Sequence, residues 1–151
     1  MKTAARIWAQ PATVAQLQAL TRGTALEALG IEFTAVGDRE LRARMPVDRR
    51  TVQPYGLLHG GASVLLAETL ASVGGALCVP EGYSCLGLEV NANHLRPARK
   101  GHVTGRATPL HLGRRVQVWE VRIEDESGRL VCISRVTLAV VEFSGVQSTG
   151  P

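Results

Sequence analysis

The run from Gly60 to Val79 constrains this chain more than any other stretch. It consists almost entirely of Gly, Ala, Val, Leu, Ser and Thr, with Glu68 as its one charged residue. A helix over these positions is ~28 Å long at 1.5 Å per residue. Because the residues are small or apolar nearly all round, such a helix has to be buried on most sides. Ala62, Ala67, Ala71, Gly74 and Gly75 are short enough to let other backbone come close. The run falls short of a membrane span, which needs ~20 apolar residues, because Glu68 interrupts it.

The flanking sequence supplies what could bury this helix. Ile31–Val36 and Glu40–Val47 read as two strands joined by the turn Gly37-Asp38. In the second, Leu41, Ala43, Met45 and Val47 alternate with Glu40, Arg42 and Arg44, giving one dry face and one wet face. After the Pro80–Gly82 turn the pattern changes to period two and stays there. Tyr83–His94, Val103–Leu112, Val116–Ile123 and Leu130–Glu142 are four more strands, with turns marked by Pro97–Gly101, Gly113 and Asp125–Gly128. Ahead of all this, residues 1–12 read as a loose lead-in. Thr13 caps a short helix with Val14, Leu17 and Leu20 on one face, and Ala25–Leu29 forms a further turn stopped by Gly30. Residues 144–151 read as a disordered tail. With no repeat and no linker, residues 1–151 form a single domain. The layout of two strands, one buried helix and four strands is α+β, an antiparallel sheet curling around one long central helix. A sheet with that much edge invites pairing with a second copy.

Composition narrows the function. At 45% hydrophobic and 20% charged residues the chain is globular rather than disordered. Cys78, Cys85 and Cys132 are odd in number, far apart and lack a CxxC pair, which argues against a disulfide framework or zinc ribbon and fits a reducing compartment. No signal-type apolar run follows Lys2 and Arg6. The expectation is a cytoplasmic protein with no membrane association. Net charge is +4, and only Lys2 and Lys100 of the 17 basic residues are lysine. Arginine's planar fork of donors suits phosphate oxygens, so the bias reads either as a site for a phosphorylated ligand or as a solvated basic surface. Aromatics at 4% offer no stacking platform for nucleic acid. The histidines have no metal-ligand spacing, so His102 and His111 read as strand residues rather than metal ligands. Trp8 and Trp119 read as packing residues, and the cysteines as buried and inert.

The chemistry concentrates on the loop Gln53–Ala62 and the helix it enters. His59-Gly60-Gly61 puts unpaired backbone N–H groups at a helix N-terminus, where the dipole favours negative charge. Glycine lets a ligand approach, so this end could polarise a carbonyl that becomes an oxyanion; equally, the glycines could serve only a tight entry into the helix. Glu68 is either a carboxylate used in chemistry, one that snorkels to a gap at the surface, or one paired with a neighbouring arginine, since a buried ionisable group is costly unless paired or used. Eight residues separate Gly60 from Glu68, which is ~12 Å along one helix. One small carbonyl cannot touch both groups of the same chain, so a shared reaction needs two subunits facing each other. Ser72, four residues after Glu68, lies on its face and could orient the carboxylate or an attacking water.

Gln53-Pro-Tyr-Gly-Leu-Leu-His-Gly-Gly-Ala-Ser63, Ala67-Glu68-Thr69, Asn91-Ala-Asn-His94 and His111-Leu-Gly113 together resemble the hotdog-fold acyl-CoA thioesterases. The branch they are most similar to holds 1,4-dihydroxy-2-naphthoyl-CoA hydrolase and the helix-glutamate type of 4-hydroxybenzoyl-CoA thioesterase. The resemblance covers about Gly30 to Val141. It implies hydrolysis of an aromatic acyl-CoA thioester without metal or redox cofactor, in a homodimer commonly paired again into a homotetramer. It also implies roles: Glu68 as nucleophile or general base, the Gly60 N–H as donor to the thioester carbonyl, and Gln53 and His59 as polar neighbours of the thioester. Ser72 would sit near the attacking water, with His94 a further pocket position. Arg96, Arg114 and Arg115 become the groups to hold the coenzyme A phosphates, although the branch often has a small hydroxyl residue where Arg114 stands. A hotdog hydratase or dehydratase using His59 with Glu68, or an acyl-CoA-binding protein without catalysis, are the competing readings.

Overall fold

The computed structural model describes residues 5–143. In order, the chain forms α1 (Val14–Ala19), α2 (Ala25–Ala28), β1 (Glu32–Val36), β2 (Leu41–Pro46), α3 (Gly60–Leu77), β3 (Tyr83–His94), β4 (His102–Leu112), β5 (Val116–Asp125) and β6 (Leu130–Glu142). The strands make one antiparallel sheet in the order β1-β2-β4-β5-β6-β3. α3 packs against β2, β3, β4, β5 and β6, so the sheet bends around it. The expected α+β architecture and each expected strand are present, with ends differing by a residue or two.

α3 is long and apolar enough to cross a membrane by length and composition; here that character fills the core. Its buried side carries Ala62, Ser63, Leu66, Ala67, Leu70, Ala71, Gly74 and Gly75. The two glycines permit the close approach. A Cβ on Gly74 would lie 2.9 Å from the Trp119 ring, and one on Gly75 would lie 2.6 Å from Leu138 Cδ1. Burial on most sides is not what the single chain achieves, however. One sheet can cover only one side of a helix, and Leu65, Glu68, Thr69, Ser72 and Val73 stay partly exposed on the other.

Residues 5–12 depart from the loose lead-in expected. Gln10 N–H donates to Leu77 O at 2.9 Å and its side-chain amide to Val79 O at 2.8 Å, covering carbonyls at the end of α3. Trp8 donates to Gly37 O at 2.6 Å and stacks on Trp119 with ring centres 6.4 Å apart. These backbone acceptors lie far away in sequence, so nothing local announced them. In α1, Thr13 caps as expected, with the reciprocal Gln16 bond of a capping box. Leu17 is buried, but Leu20 is 65% exposed because the helix stops at Ala19 and the chain turns. The expectations for 1–4 and for the tail 144–151 fall outside the described residues.

The period-two pattern does not hold its phase through β3. Gly87 pairs with Leu138 and Glu89 with Thr137, leaving Leu88 as the extra residue of a β-bulge. Before the bulge Cys85 and Gly87 face α3. After it Val90, Ala92 and His94 do, opposite the inward residues Val136, Ser134 and Cys132 of β6. The bulge is what turns His94 toward the start of α3.

Candidate active site

The loop that enters α3 is held at its base. Thr51 is buried, and its hydroxyl donates to Pro46 O at 2.7 Å. Its carbonyl accepts from His59 N–H at 2.8 Å. Arg50 forks onto Asp48, with one guanidinium N 2.7 Å from Oδ2. That hydrogen bond holds the Asp48 carboxyl down at about 2, from an ordinary 3.8. Between these anchors Val52 bridges to Leu58, Gln53 N–H donates to Leu57 O at 2.8 Å, and Gly56 takes φ +75°, a turn conformation open to glycine. The Gln53 side-chain oxygen accepts from Tyr55 N–H.

His59 is the N-cap of α3: its Nδ1 accepts from Gly61 N–H at 2.8 Å, which leaves the neutral ring's proton on Nε2. The His59 carbonyl takes the N–H groups of Ala62, at 3.0 Å, and Ser63, at 3.3 Å. The Gly60 N–H meets no acceptor among the described residues. It faces a cleft of about 360 Å³ lined also by Gln53, Ser63, His94 and Arg96. The His94 ring closes over Gly60, with Nε2 2.8 Å from where a Cβ would be. Arg96 reaches the Leu130 carbonyl at 2.8 Å from the cleft's edge. Four expected site residues therefore converge here: Gln53, Gly60, His94 and Arg96, with His59 holding the helix start. Ser63, buried on α3, is a lining residue that sequence reasoning missed.

Glu68 and Ser72 are elsewhere. They lie on the partly exposed side of α3, where the Glu68 carboxylate rests against Gly87 of β3. Among the described residues Glu68 makes no ion pair, which removes the reading of it as an arginine's structural partner. Arg114 and Arg115 are more distant still. They occupy the β4–β5 turn beyond the other end of α3, where Arg114 borders a second cavity of about 450 Å³ with Cys78, Val79, Tyr83 and Leu112. One chain thus holds three separate pieces: a cleft with a free backbone donor, a carboxylate two turns along the helix, and an arginine pair ~27 Å from the cleft along the helix axis.

Residues 55–132 match the family model described as the thioesterase superfamily. The chain belongs to that family. It is 53% identical over 135 residues to 1,4-dihydroxy-2-naphthoyl-CoA hydrolase of Escherichia coli, covering 89% of this chain and 99% of that one. It is 51% identical over 135 residues to the proofreading thioesterase EntH of Cronobacter turicensis, covering 89% and 98%. A crystal structure of a thioesterase from Haemophilus influenzae superposes with a TM-score of 0.90 at 49% identity, covering 93% and 99%. The sheet and central helix are the hotdog fold of these thioesterases, and the chain is a thioester hydrolase.

Proposed function

We propose that this thioesterase hydrolyses aromatic acyl-CoA substrates at sites shared by two subunits. Glu68 of one protomer acts on a thioester carbonyl held by the Gly60 N–H of its partner. One observation carries the reading. Among the described residues, the first turn of α3 leaves Gly60 as its single unpartnered N–H, and no carboxylate lines the cleft into which that donor opens. The only charged group on the helix lies ~12 Å away, on the side its own sheet leaves uncovered. Two chains with α3 antiparallel would cover each other's exposed side and bring each cleft to the other's Glu68.

The chemistry follows from the pieces. A carbonyl oxygen seated at the Gly60 N–H gains negative charge as it becomes tetrahedral, where the donor and the helix dipole stabilise it most. The glutamate attacks the carbonyl carbon, or takes a proton from the water that does; Ser72 orients the attacking group. The C–S bond then breaks and coenzyme A leaves as a thiolate; after direct attack, water then cleaves the Glu68–acyl anhydride to release the acid and regenerate the carboxylate. A single turnover in heavy-oxygen water distinguishes the routes: an attacking water puts the label in the product acid, whereas cleavage of a Glu68–acyl anhydride at the glutamyl carbon puts it on Glu68 and leaves the acid unlabelled. Gln53, His59 and His94 frame the thioester. Arg96 and, from the other end of a partner's helix, Arg114 and Arg115 would meet the phosphates of coenzyme A. The aromatic acyl group comes from the resemblance to 1,4-dihydroxy-2-naphthoyl-CoA hydrolase. A dimer is the smallest active unit, and a homotetramer is expected. Since coenzyme A thioesters are intracellular substrates, the enzyme is expected in the cytoplasm.

His59 accepts from Gly61 at Nδ1 and keeps Nε2 for a substrate, so the hydratase alternative is separated by assay, thiol release against the absorbance of an enoyl-CoA. The test is release of free thiol from benzoyl-, dihydroxynaphthoyl- and medium-chain acyl-CoA, with wild type and Glu68→Gln. The expected result is turnover of the aryl substrates, lost by several orders of magnitude in a variant that folds normally. Retained turnover in Glu68→Gln rejects the role of Glu68, and tight binding without thiol release from any substrate rejects catalysis.

A further inference from the structure

Gly87 has no conformational reason to be glycine. Its φ is not in the left-handed region, so its backbone suits any L-residue. What it lacks is room. A Cβ there would overlap the Glu68 Oε1, and would lie 3.3 Å from Cδ and 3.7 Å from Cγ. The three nearest atoms all belong to that one side chain. The residue is otherwise on the exposed edge strand, paired with Leu138 immediately before the bulge.

We propose that Gly87 is a positioning residue for thioester hydrolysis: its missing side chain fixes where the Glu68 carboxylate rests. The inference rests on the catalytic reading of Glu68 given above. The end of a glutamate is free to swing, so a methyl at Gly87 would move the carboxylate rather than the strand. Contacts to a real Cβ are essentially never shorter than 3.0 Å, so the displacement is of the order that matters for attack. A misplacement of about 1 Å in a reacting group can cost ~10²-fold in rate. The bulge serves the same end. Without Leu88 as the extra residue, the alternation of the strand would carry Glu89 to the α3 side, two positions from Gly87 and close to Glu68. A second carboxylate there would repel the first; the bulge keeps Glu89 outside, where it is exposed.

Two linked measurements test this. In the wild-type background Gly87→Ala should lower kcat by ~10²-fold with little change in KM. In a Glu68→Asp background, whose shorter side chain withdraws from the methyl, the same change should cost less than about tenfold. An equal factor in both backgrounds, an unchanged kcat, or a loss confined to KM overturns the proposal. The second measurement is thermal: Gly87→Ala should lower Tm only slightly in the wild type, where the glutamate end swings aside, and not at all in Glu68→Ala, where the methyl meets nothing. A Tm loss that persists in Glu68→Ala overturns it even if the single variant folds poorly. Because the Tm comparison needs no turnover, it remains decisive about the steric coupling if Glu68→Gln proves active.

Discussion

At the scale of single residues, the loop and helix start divide the work between holding and reacting. His59 holds: its ring caps Gly61, which frees Gly60 to face the cleft. Losing an N-cap acceptor costs about 1 kcal/mol. His59→Ala should therefore lower stability by about that much in chemical denaturation, whereas His59→Asn, which can also accept from the first turn, should largely keep it. Asp48 holds from further back. Its carboxyl lies below the usual range because Arg50 favours the charged form, so the pairing stabilises the fold above pH 3.8 and is lost as pH falls through about 2. The difference in Tm between wild type and Asp48→Asn should accordingly be present at neutral pH and vanish as the pH approaches 2. A difference constant from neutral pH down to 2 would show that the ion pair contributes nothing.

At the scale of elements, packing around α3 is decided by small residues, and this is where sequence was most and least informative. The helix, its capping region and six strands were legible because period and turn chemistry are local properties. The short residues Gly74 and Gly75 signalled close approach, and the sheet does come within side-chain contact of them. Gly75→Ala should be destabilising by ~1–3 kcal/mol, as expected for overpacking against Leu138 and Gln117; thermal or urea unfolding checks it. The bulge in β3 was not legible as a bulge. Its trace was present, since Leu86, Gly87 and Leu88 interrupt one alternation and Val90, Ala92 and His94 begin another out of phase. Recognising it required knowing which residues of β6 lie opposite. The Trp8 strap was equally invisible, because stacking on Trp119 joins residues remote in sequence. Trp8→Ala should lower stability by ~2–3 kcal/mol and release residues 5–12, detectable as faster amide exchange at Gln10.

At the scale of the whole molecule, the geometry of one chain implies another. Spacing alone separated Gly60 from Glu68, and the structure adds that each lies in surroundings lacking what the other provides. Among the described residues the exposed side of α3 and the outer edge of β3, which pairs with no further strand, lie beside Glu68 and remain uncovered. What sequence could not place were the arginines. Arg96 joins the cleft, while Arg114 and Arg115 sit at the far end and can reach a bound coenzyme A only if a partner's cleft is brought to them. The most direct test co-expresses two inactive chains with different affinity tags. One is Glu68→Gln. The other is Gly60→Pro, which removes the donor at the first helical position, where the helix backbone admits proline and its ring crowds only the His94 of that same, already inactive, site. A mixed dimer contains one site with both defects and one site with neither. The shared-site account predicts that purified mixed dimers recover half the thiol-release activity of wild type, although each parent dimer has almost none. Mixed dimers as inactive as their parents would contradict it.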